Sequence, residues 1–298
     1  MNLKLICILY LSKSQLAKDE AFRCSKEIQL RGIEIVVAPI GGDKDPLLNL
    51  FSELSTLPDL AIVLGGDGTV LGAARHLATH GIPILSFNVG GNLGFLTHDK
   101  NQLNSPTLWE RVMANNFDIQ PRMMLEACIE NRSNKHKQNN LLALNDFYFR
   151  SFRDEISPTC SLQLEIDGEI VDQYKGDGLI LSTPTGSTAY AMASGGPILH
   201  PDIQGIIVSA ICPMSLSSRP VVVPAESKIN IRTVGNENRK VKLWQDGSSG
   251  CLVETDDNCI IQKSKYQALM INLENSPSYF RTLSKKLHWA GSLSQKQN

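Results

Sequence analysis

The chain lacks the features that would commit it to a membrane, an oxidising compartment or a metal framework. No apolar run approaches the roughly 20 residues that span a bilayer. Leu3 to Leu11 is short, carries Lys4 and is followed by Ser12-Lys13-Ser14-Gln15 instead of a small-residue cleavage site, so it reads as a first buried strand and not as a leader. A dominant charge is missing too: 29 basic residues stand against 30 acidic ones, and a formal net charge of −1 gives no global field for nucleic acid or an anionic membrane. The seven cysteines are odd in number and scattered, with no C-x-x-C. That argues against disulfide and zinc frameworks and for a reducing cytoplasm. Two familiar phosphate fingerprints are absent as well. No Gly-Lys-Ser/Thr follows Gly65-Gly66-Asp67-Gly68, which excludes a P-loop there, and Gly66, Gly68 and Gly72 miss G-x-G-x-x-G by one residue.

What is present is an ordinary globular composition, 298 residues with 42% hydrophobic and 20% charged, enough for one large domain or two modest ones. The chain is organised around Leu60 to Thr69. Leu60-Ala61-Ile62-Val63-Leu64 is a short apolar run suited to a strand buried on both faces. Gly65-Gly66-Asp67-Gly68-Thr69 turns the chain, and a helix-compatible run follows from Val70. A strand, a glycine turn and a helix N-terminus together form an anion site. Asp67 stands in the middle of it, although a carboxylate repels phosphate. Chemistry explains it: a carboxylate there accepts a proton from a hydroxyl beside a waiting phosphoryl group. Against this stands the plain reading of Asp-Gly as a common turn pair.

Along the first third, strands and helices alternate. Leu5 to Tyr10, Ile33 to Ala38, Leu60 to Leu64 and Ile82 to Asn88 read as strands, and Gln15 to Arg31, Leu47 to Leu54 and the run after Thr69 as helices. Leu16, Ala21, Phe22 and Ile28 supply the first helix with a buried face, and residues 41–46 form a loop. This predicts a doubly wound parallel sheet with its site beyond the carboxyl ends of the strands. A second glycine loop, Asn88 to Thr97, opens on the same crevice if the third and fourth strands are neighbours.

Beyond Asn101 to Arg122 the pattern changes to short strand-like runs: Met124 to Glu130, Leu141 to Phe149, Cys160 to Ile166, Leu179 to Ser182, Ile206 to Ala210, Lys228 to Val234 and Val241 to Gln245. Turn pairs such as Asp167-Gly168 and Asp246-Gly247 separate them, and the polar tract 131–140 reads as a hairpin tip. The expected architecture is an α/β domain over residues 1–115, completed by 272–298 with a frayed tail, and an all-β, sandwich-like domain over 116–271.

Two segments of the second half are candidates for chemistry. Asn145-Asp146 interrupts an apolar run, so the pair either sits at a strand end or bulge or faces a ligand, since burying both unpaired is costly. Thr183-Pro184-Thr185-Gly186-Ser187-Thr188-Ala189-Tyr190 crowds hydroxyls around a turn before the helix-compatible run Ala189 to Ala193. An N-cap explains one hydroxyl, not four. Lys175 and Asp177 lie just upstream.

The glycine turn, Leu93-Gly94-Phe95-Leu96, the Asn-Asp pair and the Thr-Pro-Thr-Gly-Ser-Thr-Ala-Tyr segment, in this order, resemble the NAD kinase (ATP-NAD kinase) family of bacterial type. Lipid kinases of the diacylglycerol kinase type share little beyond the first loop. The resemblance implies transfer of the γ-phosphoryl group of ATP to the 2′-hydroxyl of the adenosine ribose of NAD, giving NADP, with magnesium delivered on ATP and no resident metal ligands. It implies Asp67 as general base or hydroxyl-orienting group, with Gly65, Gly66, Gly68 and Thr69 at the phosphates. It places Asn145 and Asp146 on the NAD adenosine and Thr188, Ala189, Tyr190, Ala191, Met192 and Ala193 along the adenine pocket. Lys175 and Asp177 would reach the nicotinamide end or a neighbouring subunit's NAD, and Gln245 contributes from a later strand. Ala191 departs from the family's more frequent serine, and Gly90-Gly91 lengthens the second loop by one residue. Family members form homodimers or homotetramers, some with polyphosphate as donor. The alternatives are a non-catalytic dinucleotide-binding regulator and a lipid kinase; assay of NADP formation separates them.

Overall fold

The computed structural model describes residues 2–41, 47–91, 94–131, 137–152, 159–235, 241–248, 250–255, 257–273 and 277–289. Residues 42–46 of the expected loop, Asn92 and Leu93, the centre of the polar tract and the C-terminal tail lie outside them. The chain divides into two compact units, one of residues 1–73, 82–120 and 270–298, the other of 74–81 and 121–269.

In chain order the elements are β1 (Leu5–Leu11), α1 (Gln15–Gln29), β2 (Glu34–Ile40), α2 (Leu47–Glu53), β3 (Leu60–Leu64), α3 (Asp67–Leu77), β4 (Ile84–Asn88), β5 (His98–Asp99), α4 (Leu108–Met113) and β6 (Phe117–Asn131). There follow β7 (Lys137–Ala143), β8 (Asp146–Ser151), β9 (Cys160–Ile166), β10 (Glu169–Gly176), β11 (Gly178–Ser182), α5 (Tyr190–Ala193), β12 (Gly205–Ile211) and β13 (Val221–Pro224). The chain ends with β14 (Ile229–Thr233), β15 (Val241–Gln245), β16 (Leu252–Val253), β17 (Asp257–Leu273) and α6 (Tyr279–Lys286).

The first unit is the expected α/β layer. Its strands run in the order β2-β1-β3-β4, all parallel, with Ile6 opposite Leu60 and Ile62 opposite Leu85. Every residue of β3 and β4 is buried, which accounts for their unbroken apolar sequence. Ser14 caps α1 by accepting from the Ala17 amide at 3.2 Å. The buried face of α1 is Ala17, Ala21, Cys24, Ser25 and Ile28. Leu16 and Phe22 are exposed instead, a correction to the expected face: they lie off the stripe that Ala17, Ala21, Cys24 and Ile28 draw at helical spacing. The end of β17 joins the sheet beside β4, Met270 opposite Ile84, and His98 ties to it by accepting from the Leu273 amide at 3.2 Å.

The second unit is a sandwich. One sheet runs β13-β12-β11-β8-β15-β16, with each strand antiparallel to its neighbours. The other contains β10-β9-β14-β17 and β6-β7. Alternate residues of both, among them Leu125, Phe147, Phe149, Leu162, Leu181, Val208, Ile231 and Ile261, form one buried core. The expected strand Leu141 to Phe149 is two, broken at Leu144-Asn145. The sequence reading missed β10, whose outward residues are polar or exposed along a sheet edge, and the four-residue edge strand β13; it also missed the 17-residue β17, in which Gln262, Lys263, Lys265 and Gln267 obscure the alternation.

Candidate active site

The first constellation lies at the carboxyl end of β3. Gly65 ends the strand and donates to Phe87 O of β4 at 3.1 Å. Gly66 O accepts from the Thr69 and Val70 amides at 2.9 and 3.3 Å, which starts α3. Thr69 is buried against Gly65, where a Cβ would overlap its side chain. Gly66 and Gly68 are different. Neither has a left-handed φ, and among the described residues nothing beyond their chain neighbours and own helix backbone lies within 4 Å of where their Cβ atoms would stand. Neither backbone conformation nor packing among the described residues calls for glycine at these two places. The site is therefore open to a group from outside, at a helix start where amide dipoles favour an anion.

Asp67, the first residue of α3, is half-buried and held from the second glycine loop. Its Oδ2 accepts from the Phe95 amide at 2.7 Å and its Oδ1 from the Leu96 amide at 3.1 Å. Gly94 is required beside it, because a Cβ there would overlap the carboxylate. The loop is braced in turn: Thr97 Oγ1 accepts from the Gly94 amide at 3.2 Å and Ser86 Oγ donates to Leu96 O. Two amides leave about two of the carboxylate's four lone-pair positions for a substrate hydroxyl. Strands β3 and β4 are neighbours, and their adjacency brings the two glycine loops into contact through Asp67.

The second constellation lies in the other unit. At the break between β7 and β8, Asn145 is half-buried and Asp146 is 3% exposed. Burial, reinforced by the nearby Asp246, pushes the Asp146 carboxyl up to about 7. The Thr183–Ser187 turn is stitched to this break. The Thr183 amide donates to Asn145 O at 2.8 Å, Thr183 Oγ1 to Leu144 O at 2.6 Å and Ser182 Oγ to Asn145 O at 3.1 Å. Gly186 packs directly on the Asn145 carbonyl, where no Cβ fits. Ser187 Oγ donates to Pro184 O at 2.7 Å. Much of the hydroxyl crowding therefore serves main-chain carbonyls.

Two matches to family models decide the family: the ATP-NAD kinase N-terminal domain over residues 11–117 and the ATP-NAD kinase C-terminal domain over 148–273. The chain belongs to the ATP-NAD kinase family. It is 56% identical to NAD kinase 1 of Prochlorococcus marinus, over all of this chain and 98% of that protein. It is 42% identical to NAD kinase 1 of Trichormus variabilis, over 98% of this chain and 96% of the relative. The ATP-NAD kinase fold appears again in a crystal structure of an NAD kinase from Archaeoglobus fulgidus in complex with ATP, with TM-score 0.71 and 25% identity over 96% of this chain and 100% of that one. Yeast NADH kinase complexed with NADH has the same fold, with TM-score 0.84 and 22% identity over 98% of this chain and 89% of that one.

The remaining candidates of this ATP-NAD kinase fall as follows. Tyr190 opens α5 and packs edge-on against Tyr148 at 5.1 Å; Ala191 is buried beneath it, Thr188, Ala189 and Met192 are half-buried and Ala193 is exposed. Gln245 Nε2 donates to Leu142 O. Lys175 is exposed on β10, and Asp177 stands at the start of β11 while the Thr183 turn stands at its end. They are separated by the five residues of the strand, about 16 Å, so the fold does not bring them together within one chain. Sequence reasoning missed Tyr148 and Trp244, stacked at 6.0 Å on the outer face of the sheet, and Asp246 with Arg75. The available signal for the first pair was phase: Tyr148 lies between the core residues Phe147 and Phe149, and Trp244 follows the core residue Leu243, so both point away from the core.

Proposed function

We propose that this ATP-NAD kinase transfers the γ-phosphoryl group of ATP to the 2′-hydroxyl of the adenosine ribose of NAD, giving NADP. The Asp67 carboxylate, held at both oxygens beside two glycines that the chain's own packing does not require, carries this reading. The triphosphate, with magnesium shielding its charge, approaches the open backbone of Gly66 and Gly68 at the start of α3. Asp67 takes the proton of the ribose hydroxyl, whose oxygen forms the new bond to phosphorus as ADP leaves. Asn145 and Asp146 take the adenosine, and Thr188 to Ala193 and Gln245 line its base. Lys175 and Asp177, distant from the Thr183 turn along β11, serve the nicotinamide end or the NAD of a second subunit. Exposed Ile170 and Val171 on β10 and Val221 and Val222 on β13, both at sheet edges, support self-association. All seven cysteines are free, which suits a reducing cytoplasm.

Incubation of the purified protein with NAD, ATP and magnesium tests the reading: NADP should form. Asp67→Asn should abolish turnover while NAD binding by calorimetry survives; unchanged turnover removes Asp67 from its role.

A further inference from the structure

The turn after β15 buries a carboxylate that the proposed chemistry does not use. Asp246 has φ 47° and Gly247 has φ 75°, and the Ser248 amide closes the turn on Gln245 O at 2.8 Å. Asparagine tolerates this left-handed conformation as well as aspartate does, so the turn alone does not call for a charge. Yet the Asp246 side chain is 0% exposed. A buried carboxylate is costly unless donors surround it.

They do. Oδ1 accepts from the amides of Asn145 at 2.7 Å and Asp146 at 3.2 Å, and Oδ2 from the Leu144 amide at 3.1 Å and from Arg75 Nη1 at 3.3 Å. Arg75 also donates to Ser248 Oγ at 3.4 Å. Three of the four donors are consecutive amides of the break between β7 and β8. A strand break releases main-chain groups from the ladder, and they need other partners. Here the amides go to Asp246, while the carbonyls of Leu144 and Asn145 go to the Thr183 turn. The main chain of the break is fixed from both sides, which sets the direction in which Asn145 and Asp146 leave it.

We propose that Asp246, clamped by Arg75, is a positioning residue for the dinucleotide: it aims Asn145 and Asp146 without touching NAD. The proposal rests on the reading of Asn145 and Asp146 as adenosine contacts. Asp246→Asn keeps the turn and the volume but puts an amide donor where Leu144 N–H and Arg75 need an acceptor. It should raise KM for NAD about tenfold or more, leave KM for ATP within about twofold, and hold kcat at saturating NAD near wild type. Amide exchange should quicken at Leu144, Asn145 and Asp146 while Phe147 and Phe149 stay protected. Asn145→Ala is measured beside it. If that variant raises KM for NAD and Asp246→Asn does not, the proposal falls and the reading of the break stands. If Asn145→Ala has no effect either, the reading itself fails, and the proposal with it. A uniform loss across kcat and both KM values marks a merely structural residue and also overturns it. Should Asp246→Asn not fold, Arg75→Met keeps the three amide bonds and removes the cation; it should raise KM for NAD about threefold or more, and an unchanged KM overturns the proposal.

Discussion

A carboxylate becomes useful when its neighbours fix where it points. Asp67 receives two amides from the loop after β4, and Gly94 leaves room for it. Gly94→Ala places a methyl group where the carboxylate stands. Side chain or loop must move by about an ångström, and a displacement of that size costs roughly 100-fold in rate. Steady-state kinetics should show that loss in kcat with the protein still folded. Gly68 makes the opposite prediction. Its Cβ position is open and its φ is ordinary, so Gly68→Ala should leave the melting temperature unchanged or raise it, alanine being the better helix former by about 1 kcal/mol. If the backbone there receives a phosphate, KM for ATP should rise all the same. A fall in melting temperature with unchanged KM would show that the glycine serves the fold.

Elements place these residues. The adjacency of β3 and β4 puts the Phe95–Leu96 amides on Asp67, and the pairing of β8 with β11 carries the Asn145–Asp146 break to the Thr183 turn, with Ser182 opposite Asp146. Gly178 controls the far end of that second pairing. It faces Arg150 across the ladder, and a Cβ would run into Phe149 O, a main-chain atom that cannot step aside. Gly178→Ala should therefore separate β8 from β11 locally and cost on the order of 1–3 kcal/mol, visible as a lower melting temperature. Weaker NAD binding should accompany it if the pairing sets the break. The sequence signals Gly178 only as part of an Asp-Gly turn; the close approach that makes it indispensable is a property of the assembled sheet.

At the level of the whole molecule, the buried Asp146 and the half-buried His98 set opposing pH dependences. Asp146, with Asp246 and Tyr148 as charged or ionisable neighbours, has its folded-state value raised to about 7. Its contribution is fully present below the unfolded carboxyl value and is lost as pH rises through about 7. Asp146→Asn should therefore stabilise the ligand-free protein at pH ~8 relative to wild type, by roughly 2–4 kcal/mol, with the gain vanishing toward pH ~4. His98 works the other way. Burial lowers its value, outweighing the opposing bond at 2.9 Å between Nδ1 and Ser86 O; Nε2 accepts from Leu273. The ring is neutral, and stability is lost as pH falls below the unfolded imidazole value of about 6.5. Thermal melts of wild type and Asp146→Asn from pH ~4 to 8 check both signs. An Asp146→Asn difference that does not change with pH would show that Asp146 keeps an ordinary carboxyl.

The sequence by itself determined the local chemistry. Apolar runs such as Leu60 to Leu64 and turn residues such as Gly65 to Thr69 depend on near neighbours, and near neighbours are written next to one another. That made the parallel layer, the sheet-rich second half, and the family's motifs legible. It could not phase α1, because Leu16 and Phe22 are as apolar as the residues that face the sheet. It could not divide Leu141 to Phe149, because the break is stabilised by Asp246, about 100 positions further on. Only the tertiary structure decided which amides meet Asp67, why Gly94, Gly178 and Gly186 carry no side chain, and that a turn aspartate is the buried anchor of the Asn145–Asp146 pair. Hydrogen bonds to a carboxylate form wherever donors arrive in space, and their arrival is set by strand pairing between segments distant in the chain.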